Sequence, residues 1–198
     1  MRKLGILCAA ILCMVGTVSA QNNTNLSVTT AADGAQMGGT RSSTLNAPWE
    51  VGMNFTYQRY DIGTGKANSN LYGIQSSVSR YIGDSMFGIE GTTTVTFGHF
   101  TPNDREQLIT YAGGLHVGKR TGKIQPWGHV LAGGSHDRFN QTTGPASFNS
   151  LAFIGGGGVD WQLRSHFTWR FEADYFTTRF GGVWQQAINA GTGLVINF

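Results

Sequence analysis

The chain has 198 residues, enough for one domain with a sizeable core and hardly for two. Glycine is frequent at 29 residues, charged residues make up 13% and aromatic residues 12%, which excludes a solvated disordered chain; glycine without a three-residue period excludes collagen. The formal net charge of +3 owes much to Arg2 and Lys3, and without them twelve basic residues face eleven acidic ones, so no basic patch for nucleic acid is left.

Met1-Arg2-Lys3, the apolar run to Val18 and the small residues Val18-Ser19-Ala20 predict a cleaved secretory signal peptide over 1–20, with a mature start near Gln21. The segment is too short, and too soon followed by polar chain, for a spanning helix. Cys8 and Cys13 both fall inside it, so the exported chain is expected to have no disulfide, no thiolate metal site and no cysteine nucleophile. Residues 21–47, rich in Asn, Thr, Ser, Ala and Gly, read as a flexible periplasmic leader that Pro48 closes.

From 48 to 198 the chain alternates with period two. Strand one, Trp49–Tyr60, sets Val51, Met53, Phe55 and Tyr57 against Glu50, Gly52, Asn54 and Thr56. Strands two (Asn70–Ile82), three (Met86–His99) and four (Gln107–Lys119) repeat the pattern, with Ile74, Ile89 and Leu115 on one face and Gln75, Glu90 and His116 on the other. Strand five, Lys123–Gly134, is ambiguous: either Trp127 and Leu131, or Gly128, Val130 and Ala132, take the apolar face, and Pro126 clouds its pairing. Strand six (Phe148–Leu163) sets Val159 and Trp161 against Asp160. Strand seven (His166–Thr178) sets Trp169 and Phe171 against Arg170, Glu172 and Asp174, and strand eight (Gln185–Phe198) sets Leu194 and Ile196 against Gly193 and Asn197. Each is long enough for the roughly 9–11 residues that cross a bilayer at a tilt.

Tight turns are expected at Gly83-Asp84-Ser85, Arg120-Thr121-Gly122 and Arg164-Ser165, and longer links at Asp61–Ser69, Phe100–Glu106, Ser135–Ser147 and Arg179–Trp184. An even-stranded meander with short turns at one end and long links at the other predicts an all-β, eight-stranded antiparallel up-and-down transmembrane β-barrel. Charges on the apolar face fall near strand ends, at Arg59, Arg80, Lys119 and Arg179, where they can snorkel. Aromatic residues gather in two girdles, Trp49, Phe87, Trp161, Trp169 and Phe198 near the short turns, and Tyr57, Tyr72, Phe97 and Tyr175 near the long links.

On these residues the chain from Trp49 to Phe198 resembles the small eight-stranded outer-membrane barrels of the OmpA/OmpX type. The final Leu194-Val195-Ile196-Asn197-Phe198 resembles the signal read by the barrel assembly machinery, with Phe198 as its terminal aromatic. The resemblance implies an outer-membrane location with outer-membrane lipid and lipopolysaccharide as surroundings. It names no extracellular partner. The peptidoglycan-binding domain that follows some such barrels is not expected here.

Chemistry-bearing motifs are sparse. The five histidines lack helix spacing and an HExxH motif; His116 and His129 are expected to meet inside the barrel as hydrogen-bonding groups, with no metal and no cofactor. Gly155–Gly158 lies within a strand and reads as close backbone approach instead of a phosphate loop. Inward-facing Glu50, Glu90, Asp160, Glu172 and Asp174 need partners, which points to a polar plug around Arg170, with His116 and Arg120 as helpers and Asp160 directly opposite Arg170. The expected function is a structural or surface-interaction barrel without catalytic residues. A narrow porin-like channel is the alternative, favoured by inner glycines such as Gly52, Gly73, Gly191 and Gly193. A lipid A-modifying enzyme, on His99 near Thr101 or on Ser135-His136, is the remote one.

Overall fold

Each alternating segment forms a strand: β1 (Trp49–Asp61), β2 (Asn68–Tyr81), β3 (Phe87–His99), β4 (Arg105–Gly118), β5 (Ile124–Gln141), β6 (Gly144–Gln162), β7 (Phe167–Phe180) and β8 (Val183–Asn197). The computed structural model describes residues 48–61, 68–99, 105–141, 144–180 and 183–198. The expected signal peptide and leader lie outside these residues. Consecutive strands pair antiparallel, and β1 pairs with β8, so the sheet closes into a barrel. At the seam Trp49 and Phe198 exchange backbone hydrogen bonds of 3.1 and 3.0 Å, which places the terminal aromatic inside the closing ladder.

The two faces invert the usual arrangement of a water-soluble core. Along β1, Glu50, Asn54, Thr56 and Gln58 are buried, whereas Met53 and Phe55 are more than half exposed on the outside. The same holds on β7, where Thr168, Arg170, Glu172 and Asp174 point in and Trp169, Phe171 and Tyr175 point out. Arg59, Arg80, Lys119 and Arg179 lie on the outer face near strand ends, as expected. Several outward cations sit over girdle aromatics: Arg80 over Trp49 at 5.1 Å, Lys123 over Trp161 at 5.7 Å and Arg179 over Trp184 at 5.8 Å.

Tight reversals at one end use glycine where the backbone needs it. Gly83 (φ +58°) and Gly122 (φ +94°) take left-handed conformations that a side chain would strain. Between β6 and β7 the Leu163 amide donates to the Phe167 carbonyl at 3.0 Å. That turn fixes the register: Asp160 stands opposite Arg170 and Trp161 opposite Trp169.

One open facing is resolved and two expectations are corrected. Strand five faces Trp127, His129 and Leu131 inward and Val130 outward, because Val130 is 71% exposed and Leu131 1% exposed. The expected link Ser135–Ser147 is mostly strand: β5 runs to Gln141 and β6 starts at Gly144, with Ser135 opposite Ser150 and His136 opposite Asn149. Apolar periodicity stops at the edge of the outer belt, but ladder pairing needs only backbone groups and continues beyond it. Link length therefore does not separate the two ends, since residues 142–143 and 181–182 are shorter connections than residues 82–86. The asymmetry lies in strand reach. Pairing of β6 with β7 stops at Ala152 and Thr178, so the β5–β6 hairpin rises eight residues of β6 beyond it, from Gly144 to Leu151.

Candidate functional site

The chemistry of this chain is inside the barrel, where side chains from all eight strands stack in layers. Nearest the turns that hold Gly83 and Gly122 lies an ionic layer. Arg170 donates from Nε to Asp160 Oδ1 at 2.8 Å and from Nη2 to Asp160 Oδ2 at 2.7 Å, and Nη2 reaches Glu50 Oε2 at 3.3 Å. Its guanidinium lies 4.3 Å from the Trp127 ring centre, and the Trp127 indole N–H donates to Asp160 Oδ1 at 2.9 Å. This cation is fully enclosed, at 1% exposure. A bidentate guanidinium–carboxylate fork with a ring beneath it supplies the partners that a desolvated charge needs.

Above it, Glu90 Oε2 meets His116 Nδ1 at 2.6 Å and His129 Nδ1 at 3.2 Å. The Tyr81 hydroxyl holds the other His116 nitrogen at 3.0 Å, and the His116 ring stacks on Trp127. His129 Nε2 then lies 3.2 Å from Asp174 Oδ1. Asn189 Nδ2 donates to Asp174 Oδ2 at 3.2 Å, while Asn54 Nδ2 and Gln75 Nε2 donate to the two oxygens of Glu172 at 2.9 and 2.6 Å. The Thr56 hydroxyl donates to Asn189 Oδ1. Beside Asp174, Gln58, Thr94 and Thr110 border a cavity of about 20 Å³, room for one or two waters.

Next comes an apolar layer of Leu71, Leu108, Leu131, Ala152, Ile154, Phe176 and Ala187. Beyond it, toward the β5–β6 hairpin, Ser69 donates to Glu106 Oε2 at 3.0 Å, Ser135 and Ser150 share a bond of 2.7 Å, and Asp137 is buried. An apolar cluster from β2 and β4–β8 thus lies between the polar groups, with Gln58 of β1 and Thr96 of β3 beside it.

Glycines make this packing possible. Gly156 stands in one row between His129 and Asp174, and a Cβ there would overlap Asp174 Oδ1 and the Ala173 carbonyl. Glu172 is flanked by Gly158 and Gly191, and Arg170 by Gly193. At Gly156 the vacated space is taken by the Asp174 carboxylate, whereas at Gly158 and Gly193 it lets the neighbouring strand's backbone come close.

All seven lumen residues expected from sequence are inward and buried: Glu50, Asp160 and Arg170 form one group, Glu90 and His116 a second, Glu172 and Asp174 a third. His129 and His116 face each other across β4 and β5, as expected, and His129 joins the second group to the third. Arg120 lies at the mouth, over the Tyr81 ring at 4.5 Å. Sequence reading missed Asn54, Gln75, Asn189, Tyr81 and Trp127 as members. The alternation marked all of them but Trp127 as inward, Trp127 lying on the ambiguous strand five, and nothing in the sequence distinguishes an inward amide that holds a carboxylate from one that merely fills space. The Ser135-His136 pair is divided between faces, Ser135 bonding Ser150 inside and His136 bonding Asn149 at 2.6 Å outside. Thr101 lies outside the described residues.

No protein-family profile matches the sequence, and no curated protein matches it. Solved structures do match. Neisserial surface protein A is 10% identical with a TM-score of 0.66, over 77% of this chain and 98% of that one. Ail, the attachment invasion locus protein of Yersinia pestis, is 14% identical with a TM-score of 0.56, over 76% and 99%. The outer membrane protein OprG of Pseudomonas aeruginosa is 10% identical with a TM-score of 0.50, over 77% and 97%. The shared property is the fold, an eight-stranded antiparallel barrel.

Proposed function

We propose that the chain is an outer-membrane barrel with a closed lumen, without catalytic activity, which works through the surface presented at its β5–β6 end. The observation that carries this reading is the pairing of an outer apolar belt with an interior closed by two unlike plugs. A belt of residues such as Met53, Ile74, Ile89 and Val130, each more than half exposed, is stable against lipid and costly against water. Inside, the ionic layer would have to break buried charge pairs to pass solutes, and the apolar layer would have to be wetted.

The surroundings follow from charge. Arg59, Arg105, Arg138 and Arg179 are exposed on the outer face near the β5–β6 end of their strands, a cationic rim matched to the phosphates of lipopolysaccharide. The over-reaching hairpin suits the outside, because even strand number and export leave the chain ends and tight turns on the periplasmic side. Neisserial surface protein A and the attachment invasion locus protein are named for surface roles, in keeping with this assignment. For assembly, Phe198 at the closing seam is the residue we assign to recognition by the barrel assembly machinery.

The test has two arms. Single cysteines at Ser147 and Ser165 are treated in intact cells with an impermeant thiol reagent; labelling at 147 and silence at 165 is expected, and the reverse refutes the orientation. Purified protein in planar bilayers is expected to show at most brief, small conductance. Steady passage of sugar-sized solutes would establish the channel alternative instead.

A further inference from the structure

We propose that the lumen holds a divalent first-row transition ion, of the zinc and manganese class, on His129 Nε2, Asp174 and Glu172. The ligand atoms of these three buried residues lie within 4.8 Å of one another. His129 Nε2 and Asp174 Oδ1 are 3.2 Å apart as an ion pair, and neither atom has another partner. Two ligand atoms so close, with no other partner, have the spacing of ligands sharing a centre between them.

What surrounds them is the supporting shell such a site requires. The other nitrogen of His129 is held by Glu90 at 3.2 Å, giving the carboxylate–histidine–metal order that fixes the ring and its tautomer. Asn54 and Gln75 orient Glu172, and Asn189 orients Asp174 through its second oxygen, leaving the first free to ligate. Gly156 clears the row between His129 and Asp174, and a side chain there would displace the aspartate oxygen. The water-sized cavity on the Asp174 wall can supply the remaining ligands as water.

Charge points the same way. Glu90, Glu172 and Asp174 share two imidazoles, while Arg170 is committed to Asp160 and Glu50 in the layer below. Three carboxylates thus crowd this level, and a divalent ion among them adds positive charge where a desolvated interior favours it. Imidazole nitrogen with two carboxylates selects borderline ions over calcium or magnesium. The plugs on either side make exchange slow, so the ion enters while the barrel folds.

The experiment is refolding of the full chain into lipid vesicles with zinc, manganese or calcium, removal of free ion, and metal counting by mass spectrometry. The expected result is about one zinc or manganese per chain, held against a chelator, and no retained calcium, as oxygen-selective ions lose to a nitrogen ligand. Asp174→Asn and Glu172→Gln keep side-chain shape, relieve charge and are expected to fold, but to lose the ion. Glu90→Gln, as a positioning change, is expected to weaken retention about 10–100-fold. His116→Gln retains the ion. For manganese-loaded wild type, electron spin echo is expected to show a directly bound imidazole nitrogen. An ion-free wild-type barrel, full retention by Asp174→Asn and Glu172→Gln, loss confined to His116→Gln, or calcium held as well as zinc would each overturn the assignment.

Discussion

Arg170 is the residue whose removal separates a polar filling from a structural ion pair. It makes two short bonds to Asp160 and one at 3.3 Å to Glu50, over the face of Trp127, at 1% exposure. Arg170→Gln leaves Asp160 and Glu50 without their shared guanidinium, with the Trp127 indole N–H still donating to Asp160. Breaking a buried pair by deleting one partner costs about 3–5 kcal/mol, several times the value of about 0–1 kcal/mol for an exposed pair. Asp160→Asn removes the opposite charge but leaves Arg170 with Glu50, so its cost falls at or below the low end of that range. The double variant loses both charges together and recovers part of the loss, giving a coupling on the order of 3 kcal/mol in the cycle. Urea unfolding in lipid vesicles, followed by tryptophan fluorescence and by heat-modified gel mobility, measures all four corners. Additivity of the two single changes within about 0.5 kcal/mol would refute the pairing.

Other parts of the barrel respond differently. Ile74→Arg, in the middle of the outer belt opposite Phe55 and Val95, is expected to cost about 2–4 kcal/mol in bilayers, as read by the same unfolding assay. Leu131→Ser opens the aliphatic band at a residue 1% exposed, and is expected to raise the frequency of conductance events in planar bilayers without changing gel mobility of the folded barrel. Replacing Arg59, Arg105, Arg138 and Arg179 by Gln is expected to lower stability in lipopolysaccharide-containing vesicles by about 1 kcal/mol per arginine near the charged surface, and to leave it unchanged in neutral phospholipid.

Much of the architecture was legible because a strand between lipid and lumen writes its two environments on alternate residues. Trp169, Phe171 and Tyr175 against Arg170, Glu172 and Asp174 determine both the type of element and its facing. The turn at Ser165 set the register of Asp160 on Arg170, since a hairpin with a known centre leaves one antiparallel pairing. Strand five failed that reading because Trp127 and Leu131 are large apolar residues that point inward, the one to carry Arg170, the other to join the aliphatic band. The extension of β5 and β6 was invisible for a related cause: His136, Arg138 and Asn149 carry no apolar alternation, and pairing beyond the belt is held by backbone. Within the site, residue identities announced charge but not connectivity. His129 links Glu90 to Asp174 across strands β3, β5 and β7, and such an arrangement depends on Gly156 being empty, not on any spacing along the chain.

A lumen of this kind differs from a water-soluble core in where its free energy lies. Apolar burial contributes through the outer belt and one aliphatic layer, while the remaining interior consists of groups that are costly unless each has a partner. The ionic layer meets that condition: Arg170, Asp160, Glu50 and Trp127 account for one another. The layer above does not: Asn54, Glu90, His129 and Asp174 each leave one atom without a partner there, while Ser79, Glu106 and Asp137 leave one each outside that group. The four in this layer lie beside amides that already hold the outer oxygens of Asp174 and Glu172, and this is the level where the proposed ion would complete the structure. In the proposed reading closure and occupancy go together: an ion on His129 and Asp174 would tie β5 to β7 across Gly156, which contributes no side chain of its own, and would strengthen the polar filling.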